Sequence, residues 1–148
     1  MSKTIPLISS EVAGPLGIIH LPRLWQKSSL EAIGKLHSDY PGAGQGYDQM
    51  LLDALGIDRT KFLEFIKTEH PSYVQLEAWV KAYPDAKLDQ ASIFKANTAT
   101  RSYIHDDATR KTILASVGLE DNGSVNPGAI DLNNLDDWGA FWSQELRG

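Results

Sequence analysis

Arg23 and Lys27 stand four residues apart in the run from Gly17 to Gly56, which concentrates polar groups with stereochemical demands. On a helix they would sit one turn apart on one face. Two like charges at that spacing repel mildly, so the pairing is useful when an anion sits between them. Downstream, Gly42-Ala43-Gly44-Gln45-Gly46 opens onto a helix that carries Asp48 in its first turn. Backbone N–H groups at such a start can cradle an anion, and glycines such as Gly44 and Gly46 permit close approach. Tyr40 adds a phenol donor, and His37, beside Asp39 and Tyr40, is an acid/base candidate. These residues suggest a pocket for a small organic anion. Arg23 and Lys27 would hold it, Tyr40 would donate a hydrogen bond, and Asp48 or His37 would move a proton. Trp25, on the same helix as the two cations, would wall the pocket against an aromatic ligand. Asp48 itself occupies the positive helix end, so a carboxylate fits more easily than a triphosphate.

The competing reading is structural. Glu31 would balance Lys27, and Asp39 or Asp48 would balance Arg23, in an ion-pair network of a common kind. The glycine loop is neither a dinucleotide fingerprint nor a P-loop: it lacks G-x-x-x-x-G-K-[ST] and no strand precedes it. Of the histidines, His20, His37, His70 and His105, none has metal-site spacing, and helix capping accounts for the aspartates of His105-Asp106-Asp107. His20 and His37 flank one helix of about 15 residues, roughly 22 Å long, so the two should not share a site. Ser124 lacks a nucleophile elbow. No metal or cofactor is expected. Chemistry of the lyase or isomerase type, which needs no cofactor, is compatible with the residues present.

The elements that must position these groups read as helices. Pro22 suits a first helical turn, and Leu21, Leu24, Trp25, Ser28, Ala32 and Leu36 follow helical spacing. A loop over 37–46 leads to a helix over 47–55, closed by Gly56. Asp58 caps a third helix bearing Phe62, Phe65 and Ile66, and Ser72 caps a fourth with Leu76, Trp79, Val80 and Tyr83 in line. A fifth is expected over 89–98 with Ile93 and Phe94 inward, and a sixth over about 107–117. Residues 118–130 read as an exposed loop, and a last helix over 133–146 presents Leu135, Trp138, Phe141 and Trp142. Residues 1–20, broken by Pro6, Gly14, Pro15 and Gly17, form an irregular arm. The whole predicts an all-α, single-domain bundle of six or seven short helices over 1–148, with Trp25, Phe62, Phe65, Trp79 and Phe94 buried together.

Composition narrows the partners. The chain has 148 residues, 14 Lys plus Arg against 19 Asp plus Glu, and a formal charge of −5. An acidic surface disfavours nucleic acid and anionic membranes. Cysteine is absent, which excludes disulfides and thiolate chemistry. The first twenty residues have no signal-peptide core, and a cytoplasmic protein is expected.

Leu21-Pro22-Arg23 with Lys27, then Gly34-Lys35-Leu36, Asp39-Tyr40, Gly46-Tyr47-Asp48 and Leu55-Gly56-Ile57-Asp58 form a combination, extended by Leu76-Glu77-Ala78-Trp79. Over about residues 14–105 it resembles the bacterial domain-of-unknown-function 5069 family. The resemblance implies a small, mostly helical single domain and points to Arg23, Lys27, Tyr40 and Asp48. It implies no reaction. The alternative function is an interaction module or structural homo-oligomer, using Trp138, Phe141 and Trp142 on the last helix.

Overall fold

A computed structural model describes residues 3–147. They form an all-α bundle of seven helices: α1 (Leu21–Ala32), α2 (Tyr47–Leu55), α3 (Arg59–Glu69), α4 (Tyr73–Ala82), α5 (Gln90–Ser102), α6 (Asp107–Ser116) and α7 (Ala129–Phe141), the last running into a π-helical turn (Trp142–Leu146). No strand occurs among the described residues, only isolated bridges such as Thr4 with Leu36.

Local chemistry sets the helix starts. Asp58, Asp89 and Asp106 each accept a hydrogen bond from the backbone N–H three residues on, and Ser72 with Gln75 completes a reciprocal capping box. Gly56 closes α2 at φ 72°, a left-handed conformation that costs glycine least.

The main core lies among α1 to α4. Leu21, Leu24, Leu51, Leu52, Leu55, Phe62, Ile66, Leu76 and Val80 are all buried there. Trp25, Phe65 and Trp79 pack on its edge half-buried. Phe94 is a correction: it is 71% exposed. Helix α5 instead turns the small residues Ala96 and Thr100 inward, and Phe94, two positions from Ala96, falls on another face. A smaller cluster of Ile113, Leu114 and Leu132 joins α6 to α7.

Two boundaries also differ from the sequence reading. Helix α5 runs on to Ser102, and α7 begins at Ala129 rather than 133, with Gly128 as its cap. The Ala129 N–H is taken by the Tyr103 carbonyl, and the Gly128 N–H by the Asn126 side chain. Ala129 and Leu132 are fully buried, so tertiary packing holds the first turn where no side chain caps it.

The N-terminal arm covers the remaining side of α1. Ile5, Ile18 and Ile19 are buried, whereas Leu7 is half-exposed. Thr4 exchanges backbone hydrogen bonds with Lys35 and His37, and the Leu16 N–H donates to buried Glu77. With the arm on one side and α3 and α4 on the other, α1 is enclosed nearly all round. That enclosure takes Arg23 and Lys27 inside.

Candidate functional site

Each of these buried cations finds a carboxylate. The Lys27 ammonium donates to Asp48 Oδ2 at 2.7 Å, and the Gly44 N–H reaches the same oxygen at 2.7 Å. The other oxygen, Oδ1, lies 2.6 Å from His20 Nε2, and His20 Nδ1 lies 2.9 Å from Ser10 Oγ. All four side chains are buried. Burial pushes the His20 imidazole below its usual value, against the pull of Asp48. Burial alone would raise the Asp48 carboxyl, but the His20 hydrogen bond and the Lys27 ammonium more than reverse this and hold it well below the carboxylate range. The pattern assigns a neutral His20 that donates from Nε2 to an ionised Asp48 and accepts the Ser10 hydroxyl proton at Nδ1. His20 caps α1 at φ 71°, its carbonyl accepting the Leu24 N–H while its side chain makes no capping bond. A non-glycine residue in that region costs on the order of 1–3 kcal/mol and is held there by its surroundings.

One turn earlier on α1, Arg23 grips Asp137 of α7 with two hydrogen bonds, of 2.6 and 3.0 Å. It also donates to the Pro6 and Ile8 carbonyls of the arm, each at 3.0 Å. The Tyr40 hydroxyl donates to Asp137 Oδ1 at 3.0 Å, and burial with the adjacent Asp137 charge pushes that phenol far above its ordinary range. Burial raises the Asp137 carboxyl too, against the pull of Arg23.

The glycine loop turns inward on the protein's own groups. Its Gly44 N–H serves Asp48 and its Gly42 N–H serves Glu31, while Arg59 donates to the Ala43 and Gly44 carbonyls. The expected cradle is therefore filled by carboxylates of the chain.

A cavity of ≈ 600 Å³ opens over these groups, between the start of α1, the 39–48 segment, α6 and α7, within the range of small-ligand sites. Arg23, Lys27, Tyr40, Gly44 and Asp48 all line it. Three other residues singled out in the sequence do not. The Trp25 indole N–H donates to the Pro71 carbonyl, and its ring meets Tyr73 edge-on. His37 accepts the Asp39 N–H beside Tyr40, and Gly46 caps α2. Glu31 does not balance Lys27, nor Asp39 Arg23.

Several lining residues were not legible beforehand. His20 sits at the start of α1, where the α2 start carrying Asp48 comes back to it. His105 comes from the connection between α5 and α6, its Nε2 2.8 Å from Oδ1 of Asn133 on α7, and Asp136 of α7 is half-buried on the cavity wall. Burial and the neighbouring Asp137 charge push the Asp136 carboxyl up. The lining thus sets two cations against the carboxylates of Asp39, Asp48 and Asp136. Among the described residues no group of three or more His, Cys, Asp or Glu side chains is placed to hold a metal ion, and no helix is long and apolar enough to cross a membrane.

A second cleft, of ≈ 550 Å³ beside Phe65, Trp79 and Tyr83, carries charge only on the exposed Lys61, Glu64 and Asp85.

No curated protein and no solved structure matches the chain. A family described as a domain of unknown function (DUF5069) matches residues 7–137. The match runs from the arm that covers α1 to Asp137, the partner of Arg23, and so takes in the side chains of both charge clusters and the whole cavity wall. The chain belongs to that family.

Proposed function

We propose that this protein binds a small organic molecule in the cavity between α1, α6 and α7, with an anionic oxygen of the ligand against Lys27. One observation carries the reading. The Lys27 side chain is only 9% exposed, it lines a cavity, and among the described residues its one hydrogen-bond partner is Asp48. An ammonium has three N–H donors, so two are unspent in a place where an unsatisfied donor is costly. The lining carboxylates favour a small monoanion such as a carboxylate over a polyphosphate. Arg23, expected to share the anion, contributes structure instead, since four hydrogen bonds to protein oxygens already occupy it.

Cofactor-independent chemistry of the lyase or isomerase type fits within the proposal, but its proton carrier changes. His37 lies off the cavity, and both oxygens of Asp48 are held by donors. His20 and Asp48 then orient Lys27. A cytoplasmic setting is part of the same proposal and rests on composition.

The test is a thermal-shift and calorimetric screen of small carboxylates and inorganic phosphate. A ligand at about a hundred times its Kd should stabilise the parent by about 2.7 kcal/mol, and Lys27→Met should abolish the shift while remaining folded. If no carboxylate or phosphate shifts the parent, the pocket reading fails.

A second reading has its own observation. Trp138, Trp142 and Leu146 at the C-terminal end are 63%, 50% and 67% exposed, with Phe141 beside them at 37%. Clustered exposed aromatics mark interaction surfaces, and a patch of this kind can pair with its own copy about a twofold axis. Sedimentation across a hundredfold concentration range checks this. A dimer that Trp138→Ser plus Trp142→Ser dissociates supports it, and a monomer throughout removes it.

A further inference from the structure

We infer that the cavity has two poles and is built for a small zwitterion, an amino-acid-like molecule whose carboxylate meets Lys27 and whose ammonium meets Asp136. The inference rests on the pocket reading above and adds the chemical class of the ligand. Its ground is an imbalance among the buried and half-buried carboxylates. Asp48 receives His20, Lys27 and the Gly44 N–H. Asp137 receives Arg23 and Tyr40, and Glu77 receives Tyr73 and the Leu16 N–H. Asp136 has neither hydrogen bond nor ion pair among the described residues, although it lies on the cavity wall next in sequence to Asp137.

Its neighbours extend the same polarity. Asn133 lies one turn before it on α7, and the Asn133 amide oxygen engages His105 Nε2. That contact leaves His105 Nδ1 as a further ring nitrogen without a partner among the described residues. An ammonium is the ligand group such acceptors would take, because it brings both the donors and the positive charge that a half-buried carboxylate beside another carboxylate lacks. Lys27 presents the converse, unspent donors without a free acceptor. A simple carboxylate would satisfy only one end of the cavity.

Calorimetry with a matched series decides the matter: ω-amino acids from glycine to 6-aminohexanoate, the corresponding carboxylates without the amine, and the corresponding amines without the carboxylate. At one chain length the amino acid should bind at least tenfold more tightly than either half-molecule. Asp136→Asn should remove that gain while keeping carboxylate binding, and Lys27→Met should weaken the carboxylates. Circular dichroism and the melting temperature of each variant show that it is folded. Carboxylates that bind as well as their amino-acid counterparts at every length, or a gain that survives Asp136→Asn, would overturn the two-pole assignment and leave the pocket intact. Silence from all three compound classes would overturn both.

Discussion

Arg23 and Lys27 share a helix face, a sign of charge and a buried setting, and the protein uses them differently. Arg23 reaches α7 through Asp137 and the arm through the Pro6 and Ile8 carbonyls, so one guanidinium joins segments more than a hundred residues apart. Its planar fork matches a carboxylate edge and leaves little for a ligand. Lys27 meets one carboxylate that two other donors already hold. A buried positive charge is therefore not in itself a binding site. The count of donors left after the protein has taken its share separates a tie from a site.

The comparison breaks most visibly at Arg23. Arg23→Ala leaves Asp137 buried without its partner and cuts the arm from α7, and removing one member of a buried pair costs about 3–5 kcal/mol. Urea unfolding should show that loss. Arg23→Lys should recover less than half of it, because an ammonium cannot serve two carboxylate oxygens and two carbonyls together. A loss under about 1 kcal/mol would place Arg23 outside the structural frame and return it to the ligand.

Lys27→Met should cost less, on the order of 1–3 kcal/mol, because Asp48 keeps His20 and the Gly44 N–H. It should also move His20. The Lys27 charge is one of the influences that lower the imidazole pKa, so its removal should raise the His20 midpoint in an NMR titration. A midpoint that stays put would show that the Lys27 charge does not act on His20.

These two sites also show what sequence can deliver. The fold class, the Asp58 and Ser72 caps and the Gly56 stop were readable because each depends on residues within one turn. So was the cluster of polar groups at 23–48. Its wiring was not. Asp137 lies 114 residues from Arg23, and no local spacing signals such a pair. The start of α7 at Ala129 was hidden for the same reason, since buried packing and the Tyr103 carbonyl secure it rather than a capping side chain. That start sets which residues of α7 reach the cavity. His20 was passed over because its distance from His37 was the only distance sequence offered, whereas its partner sits at the start of the next helix.

Acid should act on the Lys27 side of the comparison more gently still. The folded-state pKa of His20 is lowered, so the unfolded chain binds its proton more readily. The stability His20 contributes is present above its unfolded value of about 6.5 and declines as pH falls below it. Asp48 is lowered as well, and its contribution is present above about 3.9 and is lost further into acid. Between pH 7.5 and 4.5 the His20 contribution should therefore decline, while Asp136 and Asp137, whose pKa values are raised, work in the opposite direction. In denaturation measured against His20→Asn, which tolerates the left-handed backbone, the parent's advantage should shrink as pH falls below about 6.5. A stability difference between parent and His20→Asn that stays constant from pH 7.5 to 4.5 would mean that His20 is not buried as a neutral donor.

The smallest expected change is at Asp136, and it sharpens the distinction most. The other carboxylates of the two clusters, Asp48 and Asp137, are held by donors of the fold that their removal would leave unpaired, so it should destabilise. Asp136 makes no hydrogen bond or ion pair among the described residues, and burial together with the Asp137 charge raises its pKa. Above the unfolded value of about 3.9 the folded state then holds its proton more tightly than the unfolded chain, and ionisation at neutral pH opposes folding. Asp136→Asn removes that opposition and keeps the shape of the side chain. It should leave stability within about 0.5 kcal/mol of the parent or raise it slightly, and any gain should shrink as pH approaches 4. Chemical denaturation at pH 7.5 and pH 4.5 gives both numbers. A residue kept at an energetic disadvantage on a cavity wall is what a ligand-facing group looks like before its ligand arrives. A loss of 2 kcal/mol or more at neutral pH, on the scale of a missing buried hydrogen bond, would place Asp136 with Asp137 among the structural ties and leave Lys27 alone facing the cavity.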